Sequence, residues 1–298
     1  MNAASQWRSD MARRLVPHYA AYPHVEAVVL LGGAARGWAD SYSDIDLVIY
    51  WREPPTEAER RAVIQTLGAH PGDFGDTFAT QPDAHLRYWW EEYYLTGDAD
   101  TGLKIDIGHH LSADMDAVIE AVTRHDDVHP LKHEMLYSIK RVQAFYGKDR
   151  VAGWSRAAGR CPESLARHLV EQNLRLPPFW MAAACIERED WLLYSRILSE
   201  VGQRLLAAVV YLNREYYPGP KRQAYLLAEL PIQPDVFNGR LNAVLRGDPR
   251  EAPPGVYQLY DEVVALAQQH LPALNLDGAQ AQFHYRRPRW DSPPTYLP

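Results

Sequence analysis

The chain has 298 residues, 47% of them hydrophobic and 23% charged, with a formal net charge of −7. That composition excludes an intrinsically disordered chain, and no run approaches the roughly 18 consecutive apolar residues of a membrane span. Two cysteines, Cys161 and Cys185, with no further Cys or His at ligand spacing, exclude a disulfide framework and a zinc site.

The first residues lack the apolar core of a secretory signal, so a cytoplasmic protein is expected. Met11, Leu15, Val16 and Tyr19 recur at helical spacing and predict a helix from Ser5 to Ala20, ended before Pro23. Val25 to Leu31 reads as a buried strand and is followed by Gly32 and Gly33. Ile45 to Tyr50 reads as a second strand, carrying Asp46 and preceded by Asp44. Thr56 to Gly68 is a helix with Thr56 and Glu59 at capping-box spacing.

Aromatics from His85 to Leu95 favour a strand, and the turn-rich Thr96 to Gly102 joins it to another from Leu103 to His109. Ser112 to Val122 is a helix capped by Ser112. His129-Pro130 marks a boundary, giving a catalytic domain over 1–130 and a helical domain over 131–298. In the latter, helices are expected at Leu131–Tyr146, Pro162–Leu176, Asp190–Tyr211, Pro234–Leu245 and Val256–His270. Tyr285 to Pro298, rich in Pro, Arg and aromatics, reads as a surface strap or a mobile tail.

Charge is divided unevenly. Tyr22 to Pro130 holds 20 acidic and 7 basic side chains, a net −13, whereas Leu131 to Pro298 holds 17 and 21, a net +4. An acidic first half disfavours a nucleic-acid groove there and suits a cationic small molecule.

The informative stretch is Leu30 to Trp51, "LLGGAARGWADSYSDIDLVIYW". A glycine pair after a strand lets backbone N–H groups approach a phosphate, since no side chain intervenes. Asp44 and Asp46, two apart on a strand, point to one face, and an apolar strand tolerates such carboxylates only when something compensates them. Asp106, between Ile105 and Ile107, is a third acid in an apolar strand. Magnesium held by these carboxylates, with substrate phosphates completing its shell, is one compensation. Alternatively, Asp44 caps a turn and Asp106 pairs with Arg36 or Lys104.

With these residues the chain resembles the DNA polymerase β-like nucleotidyltransferases, whose signature is a strand ending in Gly-Gly or Gly-Ser, about a dozen residues, Asp-x-Asp on the next strand, and a later third acid. Gly32, Gly33, Asp44, Asp46 and Asp106 occupy those places, and Ser43 precedes the first Asp as in the minimal and antibiotic-modifying members. The helical second half is similar in kind to that of aminoglycoside and lincosamide nucleotidyltransferases. The resemblance implies an α/β (α+β) fold with a small mixed sheet, followed by an all-helical C-terminal domain. It implies Asp44, Asp46 and Asp106 as ligands of a two-metal Mg2+ site and an NTP donor, with ATP expected. Nucleoside monophosphate would pass to a small-molecule hydroxyl, releasing pyrophosphate in the cleft between domains. Rival readings are a protein-modifying adenylyltransferase and a non-catalytic nucleotide-binding module; nucleic acid and membrane partners are not expected.

Glu91 and Glu92 face opposite ways on one strand, so at most one can serve as base; a hairpin centred near Ala99 would place Glu92 opposite Asp106. Arg36 is a phosphate contact or a salt-bridge strut. Pro218-Gly219-Pro220 breaks one helix and predicts the start of another with Lys221 and Arg222 in its first turn, where bound phosphate would suit both cations. Resemblance to related enzymes, which use a second-domain Lys on the triphosphate, implies Lys221 as that contact; the alternative is a merely solvated lysine. Tyr88, Trp89, Trp90, Tyr93 and Tyr94 can stack on a base or pack in the core.

Overall fold

The computed structural model describes residues 1–75, 86 and 88–292. It divides into two compact units, Met1–Cys161 with Tyr216–Pro218, and Pro162–Glu215 with Gly219–Pro298.

The first unit begins with α1 (Ala3–Ala20), β1 (Val25–Leu30), α2 (Gly32–Arg36), β2 (Ile45–Trp51), α3 (Glu57–Leu67), β3 (His70–Phe74), β4 (Tyr88–Leu95) and β5 (Leu103–Leu111). It continues with α4 (Ser112–His125), α5 (Pro130–Ile139), β6 (Gln143–Tyr146) and α6 (Lys148–Ala158). Among the described residues the strands form one sheet in the order β3-β4-β5-β2-β1-β6. Only β2 and β5 run parallel, and the other neighbours are antiparallel, so the sheet is mixed.

Central β2 is buried along nearly its whole length, which explains its continuous apolar run. One face of the sheet, with Leu30, Leu47, Ile49, Trp89, Tyr93, Ile105 and Ile107, packs against Leu15 and Tyr19 of α1 to make the core. On the other face, Tyr50 meets Trp154 of α6 (4.6 Å between ring centroids) and Met115 of α4. These helices cover the C-terminal ends of β2 and β5.

The capping box of α3 is formed: Thr56 Oγ1 accepts from the Glu59 N–H (3.2 Å), and a Glu59 carboxylate oxygen accepts from the Thr56 N–H (2.7 Å). The Thr96–Gly102 turn is held by Asp98, whose carboxylate accepts from the N–H groups of Asp100 and Thr101. His85 and Arg87, in the strand expected from His85, lie outside the described residues, as do residues 293–298 of the tail.

Three local expectations are corrected. Ser112 falls inside α4 and makes no capping bond; Leu111 is the cap residue. The helix expected over Leu131–Tyr146 ends at Ile139, and Gln143–Tyr146 becomes β6, paired with the open edge of β1. An edge strand whose backbone completes the sheet overrides a weak helical period. Lys221 and Arg222 precede a helix rather than open it, because Gly219 (φ +87°) and Arg222 (φ +60°) hold the chain in left-handed turns.

In the second unit α7 (Glu163–Leu174), α8 (Trp180–Glu187), α9 (Trp191–Leu212), α10 (Gln223–Ala228), α11 (Phe237–Arg246), α12 (Ala252–His270) and α13 (Asp277–His284) pack together. From Leu205 to Leu212 α9 is buried all round, as expected of a central helix. Tyr260 of α12 stacks on Phe283 of α13 (4.1 Å) and donates to the Leu174 carbonyl of α7 (2.9 Å). The two cysteines are buried and form no disulfide.

Candidate active site

The parallel register of β2 and β5 places Asp46 directly beside Asp106, and Asp44 enters from the turn just before β2. One carboxylate oxygen from each of the three lies within 4.8 Å of those of the other two, and all three residues are half-buried. They sit on the face of the sheet covered by α4 and α6, at the end opposite those helices.

Gly32 explains why a glycine must follow β1. Its φ is +64°, and a Cβ there would stand 2.0 Å from Oδ2 of Asp46. The backbone is therefore brought against the Asp46 carboxylate as no other residue allows. Leu31 N–H donates to the Asp46 carbonyl (2.9 Å) and fixes this approach. Gly33 accepts at its carbonyl from the Trp38 N–H (2.8 Å), closing the short turn of α2.

Mutual repulsion among the acids is relieved in part by Lys104. Its Nζ lies 3.0 Å from Oδ2 of Asp106 and 2.9 Å from Oε2 of Glu92. Burial works against the charge on Lys104, but its bonds to both carboxylates outweigh burial and raise its pKa. Burial pushes the Asp106 carboxyl up, helped by neighbouring Asp44 and opposed by Lys104. Glu92 is held below the usual carboxylate range by its hydrogen bond from the Tyr94 hydroxyl and by Lys104.

Glu92 stands opposite Asp106 in the β4–β5 register, on the site face. Glu91 takes the opposite face: it is fully buried, paired with Arg60, and accepts from the Tyr93 hydroxyl. His109 lies beside it with Nε2 at 3.3 Å, and its Nδ1 accepts from Trp51 Nε1 (3.0 Å). Buried charges need such partners, and this set occupies Glu91 completely. Alternation likewise sends Trp89 and Tyr93 into the core and leaves Tyr94 beside Glu92.

Ser43 Oγ donates to the Asp40 carboxylate (3.0 Å) and accepts from the Asp40 N–H (2.9 Å), shaping the turn that delivers Asp44. Arg36 packs over the Tyr137 ring (4.8 Å) and approaches the Ser138 hydroxyl (3.5 Å), which places it toward α5. Lys221 is exposed in the second unit. Sequence reasoning missed Arg8, a buried α1 residue whose Nε donates to the Ser43 carbonyl (2.8 Å) and braces the same turn. No local motif marks it, since its partner is 35 residues away.

All the donors of the triad are carboxylate oxygens, a set that suits a hard divalent cation such as Mg2+ and not a thiolate- or imidazole-seeking metal. With the Gly32 backbone set close against Asp46, the residues fit the ion.

Residues 16–122 match the family model described as nucleotidyltransferase domain, a span that includes every residue of the triad and both glycines. No curated protein matches the chain at a significant level. Among solved structures, a nucleotidyltransferase-like protein from Exiguobacterium sibiricum is similar at 12% identity, with a TM-score of 0.40, over 88% of this chain and 78% of that one.

Proposed function

We propose that this enzyme, whose residues 16–122 are a nucleotidyltransferase domain of the DNA polymerase β-like superfamily, transfers a nucleoside monophosphate from ATP to a hydroxyl of a small cationic molecule such as an aminoglycoside. The observation that carries the reading is the convergence of Asp44, Asp46 and Asp106 beside the Gly32 backbone. Asp44, Asp46 and Asp106 would hold Mg2+, and the bound ion supplies charge neutralisation for the triphosphate and the leaving pyrophosphate.

The chain's own residues supply the rest. Gly32 brings the backbone against the Asp46 carboxylate, and in this reading the N–H groups of the Gly32-Gly33 turn contact a phosphate of the donor. Glu92, ionised and on the same face, is placed to take the proton of the attacking hydroxyl, and Lys104 holds it in position. Ser43 and Arg8 fix the turn carrying Asp44. Contacts from Arg36 and Lys221 to the triphosphate belong to the proposal and are tested by the KM for NTP in Arg36→Ala and Lys221→Ala. The excess of acids over Tyr22–Pro130 supports a cationic acceptor.

Pyrophosphate release with Mg2+ and each of the four NTPs, against aminoglycosides, lincosamides and other polyols, tests the reading. Release that requires an acceptor and vanishes in Asp44→Ala is expected. NTP binding without release under any acceptor would favour a nucleotide-binding module instead.

A further inference from the structure

The second unit contains a groove of about 730 Å3, within the size range of small-molecule sites. It is bounded by α8, the first turns of α12 and the segment that follows α13. That segment is fastened rather than loose: Arg289 makes two hydrogen bonds to the Glu187 carboxylate, at 2.8 and 2.9 Å.

The lining combines flat apolar walls with surplus positive charge. Trp180, Tyr257 and Trp290 supply aromatic faces, and Arg188, Arg286 and Arg287 supply cations. The Arg287 guanidinium lies over Trp180, 5.5 Å from its ring centroid. Among the described residues Arg289 has its acid, whereas Arg188, Arg286 and Arg287 have no carboxylate within ion-pair distance. Trp290 is 67% exposed although the segment that carries it is anchored.

An uncharged apolar ligand would gain from the rings but would dehydrate three cations without return. An inorganic anion would satisfy the cations and leave the rings unused. A long polynucleotide needs an extended basic track, whereas the described basic lining is a compact groove on a chain of net charge −7. A flat ring bearing a phosphate uses both parts, because bases stack on aromatic faces and guanidinium groups match phosphate oxygens in two-point contacts.

We propose that this groove is a binding site for a nucleoside phosphate, with the base on Trp180 and Trp290 and the phosphate on Arg286 and Arg287. The site is separate in sequence from the carboxylate triad, and the inference stands whether or not the triad transfers nucleotides.

The test is equilibrium dialysis of the four nucleoside monophosphates, each against the full chain in EDTA, so that a metal-dependent triad site makes no contribution. Saturable binding is expected at one site per chain for at least one of them. It should weaken at least tenfold in Trp290→Ala and in the double variant Arg286→Ala/Arg287→Ala, and persist in Asp44→Asn/Asp46→Asn. Trp290 and both arginines lie after the last helix, so these variants leave the core intact; circular dichroism verifies this. Lack of saturable binding, binding unchanged in both groove variants, binding lost in the aspartate variant, or binding of a single-stranded oligonucleotide alone would each overturn the proposal.

Discussion

Replacing Gly32 by alanine isolates the close approach on which the triad depends. A Cβ at this position would lie 2.0 Å from Asp46 Oδ2, against the 3.0 Å that real contacts respect, so the carboxylate must move by about 1 Å. The φ of +64° adds backbone strain of about 1 kcal/mol for a residue with a side chain. Gly68 provides the control: it has φ +61° and nothing within 4 Å of its would-be Cβ. Gly68→Ala therefore carries the strain without the collision. Urea unfolding should show a loss of about 1 kcal/mol in Gly68→Ala and a larger one in Gly32→Ala. Mn2+ binding, read by electron paramagnetic resonance, should weaken at least tenfold in Gly32→Ala only, since a carboxylate displaced by 1 Å no longer converges with its neighbours. If Gly32→Ala binds Mn2+ as wild type does, the glycine is not what sets the position of Asp46.

Removing the counter-ion gives the opposite sign. Lys104→Met deletes a cation 3.0 Å from Asp106 and should tighten Mn2+ binding at pH 8 by up to about tenfold in the absence of nucleotide; weaker binding would mean that Lys104 chiefly holds the acids in place. Asp46→Asn relieves repulsion, so the metal-free protein should melt a few degrees higher and lose its stabilisation by Mg2+, as read by calorimetry; retained stabilisation would contradict the ligand assignment. The buried network predicts acid sensitivity. Burial lowers the pKa of His109 against the pull of Glu91, so the unfolded chain binds a proton that the folded one refuses as pH falls through the ordinary value of 6.5. Stability should decline below that pH, and His109→Gln should show a shallower decline between pH 6.5 and 5 in urea titrations; an unchanged slope would contradict it.

Much of the site was legible because strand period and short turns are strong constraints. Asp44 converges with Asp46 from the turn before β2 and not, as the i, i+2 spacing implied, from the strand itself; a hairpin near Ala99 anticipated that Glu92 lies opposite Asp106, as the register has it. The same alternation rule separated Glu92 from Glu91, although not which of the two faces the acids. Pairing of Asp106 with Arg36 or Lys104 is the alternative to a metal; in the structure Lys104 pairs with Asp106, and the three carboxylates still lie close enough together to hold an ion. What was not legible depends on distant partners. Gln143–Tyr146 is a strand because β1 offers it an open edge, and Arg8 braces the Asp44 turn from 35 residues away. Local propensity carries neither signal.

The central claim, that the triad supports nucleotidyl transfer, is tested most directly by following label from ATP carrying 32P at either the α or the γ position. The assay contains Mg2+ and the polyol acceptor panel, with Asp44→Ala as the blank. The account predicts α-label covalently on an acceptor and γ-label in pyrophosphate, both absent in the blank. Appearance of γ-label on the acceptor, or of orthophosphate alone, would contradict it.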